Sequence, residues 1–203
     1  MTNYQAIIFD LGGVLIDWNP RYLYRKLLSD EADIDAFLGS ICTPEWNAQQ
    51  DAGRPFAEGV AELSRRHPDH ASLIDAYHTR WIEMVGGPIR QSVEMMDALR
   101  RQSIPLYALT NWSTETFALV RPVFEFLNWF EGIVVSGEEK LVKPDPAFYR
   151  VLFERYDLRP ESLLFIDDSQ TNIRTAEALG MDAVHFTSPN VLSEALSERR
   201  LIA

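Results

Sequence analysis

The stretch AIIFDLGG at residues 6–13 decides the fold predicted for this chain. Its first four residues are apolar and favour a β-strand, and a carboxylate, Asp10, and two glycines follow soon after. A short apolar run that opens into a glycine-containing loop is typical of a buried strand. The polar residue that ends such a strand lies at the carboxyl edge of the sheet, where ligands bind in open α/β folds.

Further strand-like runs and helical patterns alternate after this first strand. The runs cover 105–109, 132–135, 163–166 and 183–186, and the helical patterns cover about 89–101, 114–127, 145–157 and 171–180. Strands that alternate with helices in this way predict an α/β fold with a mostly parallel sheet.

The stretch from about Pro20 to Val85 interrupts the alternation because it contains only helix-like segments, at 20–29, 33–41, 44–51, 55–66 and 69–85. A helical insert after the first strand would stand over the carboxyl edge of the sheet as a cap; the alternative is that these helices pack beside the sheet. We predict a core formed by 1–18 and 86–203, a helical cap at 19–85, and linkers near 17–20 and 86–88.

Composition limits the classes of partner. The chain has 203 residues, 46% of them hydrophobic, and a formal charge of −11, which argues against nucleic acid or an anionic membrane as the main partner. The single cysteine, Cys42, excludes an intrachain disulfide and fits a cytoplasmic location. Without a basic leader or 18 uninterrupted apolar residues, we predict neither export nor a membrane span. The patterns predict no particular oligomeric state.

Polar residues follow three of the predicted strands: Asp10 the first, Thr110 and Asn111 the second, Asp167 and Asp168 the fourth. The carboxyl ends of parallel strands converge, so these residues are expected to meet. Three carboxylates in one pocket repel one another unless a cation lies among them, and hard oxygen ligands suit Mg²⁺. Taken alone, two aspartates after a strand are also typical of a helix start.

An aspartate at this place can attack phosphorus and form an aspartyl-phosphate that water then hydrolyses. Thr110 offers a hydroxyl and Asn111 an amide to the phosphate oxygens, while Lys143, in the rigid turn Lys-Pro-Asp-Pro, offers a positive charge. Lys140 competes for this last role. Trp112 is the aromatic residue best placed to contact the rest of the substrate, and a role in the core fits it equally well.

Aromatic and polar residues in or near the predicted cap suit a sugar or a polyol by stacking and hydrogen bonding, although packing or surface roles fit each of them as well. They are Trp18, Asn19, Trp46, Gln49, Asp51 and Arg54. The sequence therefore predicts a small phosphorylated metabolite as substrate, with a sugar phosphate as the first choice.

Four segments resemble the motifs of the haloacid dehalogenase-like hydrolase superfamily, in order and over nearly the whole chain. They are FDLGGVL at 9–15, LTNW at 109–112, VKPDPAFY at 142–149 and FIDDSQTNIRTAEALGM at 165–181. The chain is most similar to the branch of small-cap phosphatases that includes glucose-1-phosphate phosphatase and the N-terminal phosphatase domain of soluble epoxide hydrolases. The resemblance implies a Rossmann-like sheet with a helical cap inserted after the first motif.

Carried onto this sequence, the resemblance implies Asp10 as the nucleophile and Lys143 as its catalytic partner on the phosphate. The implied magnesium ligands are Asp10, the backbone carbonyl of Gly12, Asp167 and Asp168. The expected substrate contacts come from Thr110, Asn111, Gly12 and Trp112.

The chain departs from the family pattern at Gly12. Phosphatases of the superfamily usually carry an aspartate at this position, which protonates the leaving group and later activates water. Either another group transfers the proton, for example Asp17, a cap residue or a metal-ordered water, or the leaving group needs little help, as an anomeric hydroxyl would. The similar branch includes active phosphatases with the same DLG sequence, so we expect activity.

Two other functions stay open. A 2-haloacid dehalogenase displaces halide without a metal, which Gly12 permits, but dehalogenases of the superfamily resemble Ser-Ser-Asn where this chain has Asp167 and Asp168. A binding module that has lost turnover is the second, since a fold does not establish a function. The retained nucleophile, lysine and carboxylates argue against it.

Overall fold

A five-stranded parallel sheet forms the centre of the protein, of which the structure, a computed structural model, describes residues 4–202. In chain order the strands are β1 (Ala6–Phe9), β2 (Ile16–Trp18), β3 (Val85–Pro88), β4 (Leu106–Thr110), β5 (Gly132–Val135), β6 (Leu163–Asp167) and β7 (Asp182–His185). The large sheet has the order β5-β4-β1-β6-β7, so β1 lies at its middle between β4 and β6.

The helices of the described part are α1 (Arg21–Tyr24), α2 (Glu31–Ser40), α3 (Pro44–Asp51), α4 (Phe56–Arg66), α5 (Ala71–Thr79), α6 (Arg90–Arg101), α7 (Thr114–Val120), α8 (Ser136–Glu139), α9 (Pro146–Tyr156), α10 (Gln170–Ala178) and α11 (Pro189–Glu198). Short 3₁₀ turns cover Pro68–His70, Trp81–Met84, Glu125–Trp129 and Pro160–Ser162. Side-chain oxygens cap the first turns of five helices, from Asp30, Thr43, Ser113, Asp145 and Ser188.

Successive residues of β1 point to opposite faces of the sheet and enter two hydrophobic clusters. Ile7 and Phe9 belong to one cluster, and Ala6 and Ile8 to the other. All four are fully buried because helices cover both faces, which explains the uninterrupted apolar run in the sequence.

A two-stranded antiparallel ribbon of β2 and β3 leads into and out of the helical segment α1–α5. The buried side chains of these helices, such as Phe56 and Tyr77, join the same cluster as Ile7 and Phe9. The ribbon lies next to the predicted boundaries of the cap, whose division at residues 19–85 stays a prediction.

The predicted α/β fold class with a parallel sheet is confirmed, and each of the five predicted strands lies within one residue of its observed bounds. The helix predicted at 114–127 ends at Val120, just before Pro122, which has no N–H to donate to the next turn of a helix. The helix predicted at 20–29 is limited to one α-helical turn, Arg21–Tyr24. The predicted linkers pair as strands, and α8 and α11 were not predicted. Within residues 4–202, every helix is too short or too polar to cross a membrane.

Candidate active site

Three carboxylates meet at the carboxyl edge of the sheet. Asp10 follows β1 directly, Asp167 ends β6 and Asp168 is the next residue. Because β1 and β6 are hydrogen-bonded neighbours, one oxygen atom of each carboxylate lies within 4.8 Å of the others. Gly13 has a φ of +75° and packs against the Asp168 carboxylate, which leaves no room for a Cβ there.

Lys143 neutralises part of this charge. Its ammonium lies 2.9 Å from Oδ2 of Asp10 and 2.6 Å from Oδ2 of Asp167. The amide of Asn111 holds the backbone of Lys143 on both sides: Nδ2 donates to the Lys143 carbonyl at 2.9 Å, and Oδ1 accepts from its N–H at 2.8 Å. The Asn111 amide, expected to contact phosphate, is therefore engaged in orienting Lys143.

Asp167 is held by more donors than the other two carboxylates. Its oxygens accept hydrogen bonds from the backbone N–H of Ser169 at 2.8 Å and from Nδ2 of Asn172 at 2.9 and 3.1 Å, besides the ammonium of Lys143. The sequence analysis did not single out Asn172, although its place in the first turn of α10 is a signal that it turns back toward the end of β6.

The electrostatics of the cluster leave an excess of negative charge. Burial raises the pKa of Asp10 to about 7, against the attraction of Lys143 and with the help of Asp167 and Asp168. Burial and the charge of Asp167 also raise the pKa of Asp168. Burial disfavours the charged form of Lys143, but Asp10 and Asp167 outweigh it and raise the pKa of this ammonium. Three carboxylates facing one ammonium form an oxygen donor set that fits a divalent cation.

Thr110 ends β4, the strand on the other side of β1. Its hydroxyl is buried and has no hydrogen-bond partner among residues 4–202. Most buried polar atoms are paired, so an unpaired hydroxyl at a strand end beside Asp10 indicates a place for a ligand atom.

A cavity of about 80 Å³ opens at Gly12 and Asn111, which follow Asp10 and Thr110 closely in the two loops after β1 and β4. Its walls come from the loop after β1, from β2, from α3, from the 3₁₀ turn before β3 and from the loop after β4. In this order the lining residues are Gly12, Trp18, Asn47, Asp51, Trp81, Asn111 and Trp112. Three buried polar atoms of this lining have no partner within the described chain: Nε1 of Trp18, Nε1 of Trp112 and Oδ1 of Asn47. The cavity thus combines indole surfaces with free donors and an acceptor, as an organic group bearing polar atoms requires.

The cavity includes only part of the residues expected to contact the substrate. Trp18, Asp51 and Trp112 line it, whereas Trp46, Gln49 and Arg54 line a separate surface depression. Oδ1 of Asn19 accepts a hydrogen bond from the backbone N–H of Arg21. Asn47 and Trp81 were missed. Asn47 precedes Asp51 by four residues on α3, so helical spacing is the signal that relates the two.

Comparison with known proteins places the chain among hydrolases. Residues 4–180 match the haloacid dehalogenase-like hydrolase family. The sesquiterpene phosphatase astK of Aspergillus oryzae is 28% identical, over 99% of this chain and 98% of the relative. The phosphoglycolate phosphatase of Pectobacterium atrosepticum is 26% identical, over 97% and 86%. A HAD family enzyme of Bacteroides thetaiotaomicron, solved as a magnesium complex, shares the fold with a TM-score of 0.69, at 23% identity and over 89% and 92% of the two chains.

Proposed function

Since this chain belongs to the haloacid dehalogenase-like hydrolase family and is a hydrolase acting on phosphate esters, we propose that it removes the phosphate from a small phosphorylated metabolite through an aspartyl-phosphate on Asp10, with Mg²⁺. The observation that carries this proposal is the buried contact of Asp10 with Lys143, beside Asp167, Asp168 and the unpaired hydroxyl of Thr110.

Contacts to both carboxylate oxygens orient Asp10 for attack. Oδ1 accepts a hydrogen bond from the backbone N–H of Leu11 at 2.7 Å, and Oδ2 contacts the ammonium of Lys143. In the proposed reaction an Asp10 oxygen attacks phosphorus, and the bond from phosphorus to the leaving oxygen breaks. Water then attacks the phosphorus of the aspartyl-phosphate, which releases phosphate and restores Asp10.

Thr110 and Lys143 stabilise the phosphate during both steps. The free hydroxyl of Thr110 donates a hydrogen bond to a phosphate oxygen, and Lys143 supplies a fixed positive charge. Asn111 acts through Lys143, since its amide holds the backbone of that residue.

Magnesium fits the donor set described above. Asp10, Asp167, Asp168 and the backbone carbonyl of Gly12 would hold it. When bound, the ion neutralises charge on the phosphate oxygens in the transition state.

The organic part of the substrate would occupy the cavity at Gly12 and Asn111. Indole surfaces and the side chains of Asn47 and Asp51 suit a hydroxylated group such as a sugar, which stays our first choice. The two phosphatases reported above are named for a sesquiterpene and for phosphoglycolate, so the substrate panel should contain apolar and acidic phosphates as well.

The test is release of inorganic phosphate from such a panel, with Mg²⁺ and with EDTA. We expect magnesium-dependent release that Asp10→Asn lowers by at least about 10³-fold, because an amide cannot attack phosphorus. The matched control is Asp17→Asn, the same chemical change at a carboxylate outside the cavity, which should retain full activity. Substantial turnover by folded Asp10→Asn would refute the mechanism. Metal-independent release of chloride from 2-chloropropionate, without any release of phosphate, would favour the dehalogenase instead.

A further inference from the structure

The first loop has an empty place where the superfamily pattern has its second aspartate. A Cβ added to Gly12 would meet one neighbour within 4 Å, Cζ3 of Trp112 at 3.9 Å, and the residue borders the cavity. When a phosphate ester of an alcohol is cleaved, the alcohol part leaves as an alkoxide unless a proton reaches its oxygen. A carboxyl group elsewhere on the cavity wall is suited to supply that proton.

Asp17, the nearest carboxylate after Gly12 in the sequence, does not face the cavity. Its Oδ2 accepts a hydrogen bond from the hydroxyl of Tyr22 at 2.7 Å and packs against Gly86 of β3. The next residue of β2, Trp18, lines the cavity, and the irregular pairing between Asp17 and Trp18 separates the two side chains.

Asp51 is the carboxylate that lines the cavity together with Gly12. It ends α3, and Nδ2 of Asn47 donates a hydrogen bond to its Oδ2 at 2.9 Å. Its backbone carbonyl accepts from Oγ of Ser136 at 2.6 Å, and the same Oγ accepts from the backbone N–H of Trp112 at 2.8 Å. These bonds join Asp51 to the loop that also carries Asn111.

The Asp51 carboxylate has no cationic partner in the described part of the chain. Among residues 4–202, no lysine, arginine or histidine forms an ion pair with it. Acidic groups on neighbouring helices have partners of their own: Glu115 of α7 contacts His78, and Glu139 of α8 contacts Arg155. A half-buried carboxyl group that lines a cavity and has no cationic partner is free to exchange a proton with a ligand there.

Building on the phosphatase function proposed above, we propose that Asp51 is the general acid and base of this active site and takes the place of the aspartate that Gly12 lacks. In the first step the Asp51 carboxyl gives its proton to the leaving oxygen as the bond from phosphorus to that oxygen breaks. In the second step the Asp51 carboxylate takes a proton from the water that attacks the aspartyl-phosphate. The carboxyl group is thereby restored.

The local environment supports both roles. Burial raises the pKa of Asp51 to about 7, against the hydrogen bond from the backbone N–H of Ser113, so both protonation states are populated near neutral pH. Tyr77 of α5 is a titratable neighbour of Asp51. Burial and then the charge of Asp51 raise the pKa of Tyr77 far above its usual range, so this phenol stays neutral.

The experiment compares two leaving groups. p-Nitrophenyl phosphate releases a weakly basic phenolate that needs no proton, whereas an alkyl phosphate accepted by the wild-type enzyme releases a strongly basic alkoxide. For Asp51→Asn we expect kcat/KM to fall by about 10²- to 10⁴-fold with the alkyl phosphate and by less than about threefold with p-nitrophenyl phosphate. With the alkyl phosphate, the wild-type kcat/KM should also decline as the pH rises above about 7, a decline that the variant should lack.

Two further variants complete the test. Asp17→Asn should behave as wild type with both substrates. Gly12→Asp added to Asp51→Asn should recover a large part of the alkyl phosphatase activity, because it returns a carboxyl group to the same cavity. Equal losses with both substrates, or no loss with either, would overturn the role of Asp51 while leaving the phosphatase intact. A wild-type protein that releases no phosphate from any ester would overturn the proposed function, and this role with it.

Discussion

The charge of the candidate active site depends on Lys143. Its side chain is 1% exposed and bridges Asp10 and Asp167, so its burial is compensated by two carboxylates. Removing the ammonium would leave those two buried carboxylates without a cationic partner. Any substitution of Lys143 therefore tests folding and catalysis at once, whereas Asp51 and Asp17 permit cleaner comparisons.

Ser92 in α6 offers a prediction about stability that is independent of catalysis. It is fully buried, and its Oγ has no hydrogen-bond partner among residues 4–202. Ser92→Ala removes an unpaired buried hydroxyl and improves helix propensity, so the free energy of unfolding should rise by about 1–2 kcal/mol. Urea unfolding measures the change, and phosphate release should stay at the wild-type rate. A clear loss of stability would show that this hydroxyl is bonded after all.

At the scale of elements, Ser136 connects the helical segment to the sheet. It opens α8 directly after β5, and its Oγ joins the end of α3 to the loop after β4. Gly137 follows it and lies so close to the backbone at Thr114 that a Cβ would come within 2.6 Å of its N atom. This contact between α8 and α7 leaves no room for a larger residue.

Ser136→Ala should therefore have the opposite effect from Ser92→Ala, although both change a buried serine to alanine. It leaves the N–H of Trp112 and the carbonyl of Asp51 without their partner, which should lower the free energy of unfolding by about 1–3 kcal/mol. We also expect a lower kcat/KM for alkyl phosphates, because the backbone of Asp51 loses the hydrogen bond that holds it beside the loop after β4. Urea unfolding and the two-substrate assay measure these effects. Unchanged values in both would show that α3 and the loop after β4 are held together by other contacts.

The whole molecule carries a formal charge of −11, and three of its carboxylates converge in one cluster. A cation that binds there only in the folded state stabilises that state by mass action. The thermal midpoint thus reports metal binding without any substrate, which separates the proposed magnesium site from the proposed chemistry.

Magnesium should raise Tm of the wild-type protein by several degrees at about 100 times its Kd, where linkage contributes about 2.7 kcal/mol. Asp168→Asn should lose most of this shift because it removes one of the three carboxylate ligands. Asp17→Asn should keep it. A thermal scan with and without Mg²⁺ makes the comparison, and equal shifts in all three proteins would contradict a metal at this cluster.

The sequence by itself determined the sheet and the convergence of the proposed catalytic residues. Each central strand is a short apolar run because both of its faces are buried, and Asp10, Thr110 and Asp167 lie at strand ends that a parallel sheet brings to one edge. These properties depend on neighbours along the chain and on one topological rule, so local patterns are enough to predict them.

Only the tertiary structure decided which side chains face the cavity. The sequence suggested Asp17 for proton transfer and Asp51 only as a polar residue of the predicted cap. In the structure Asp17 of β2 binds the hydroxyl of Tyr22, whereas Asp51 of α3 lines the same cavity as Gly12. The tertiary structure also decided the role of the Asn111 amide, which is hydrogen-bonded to the backbone of Lys143, a residue distant in the sequence. Such orientations depend on contacts between distant segments, and local propensity and periodicity carry no information about them.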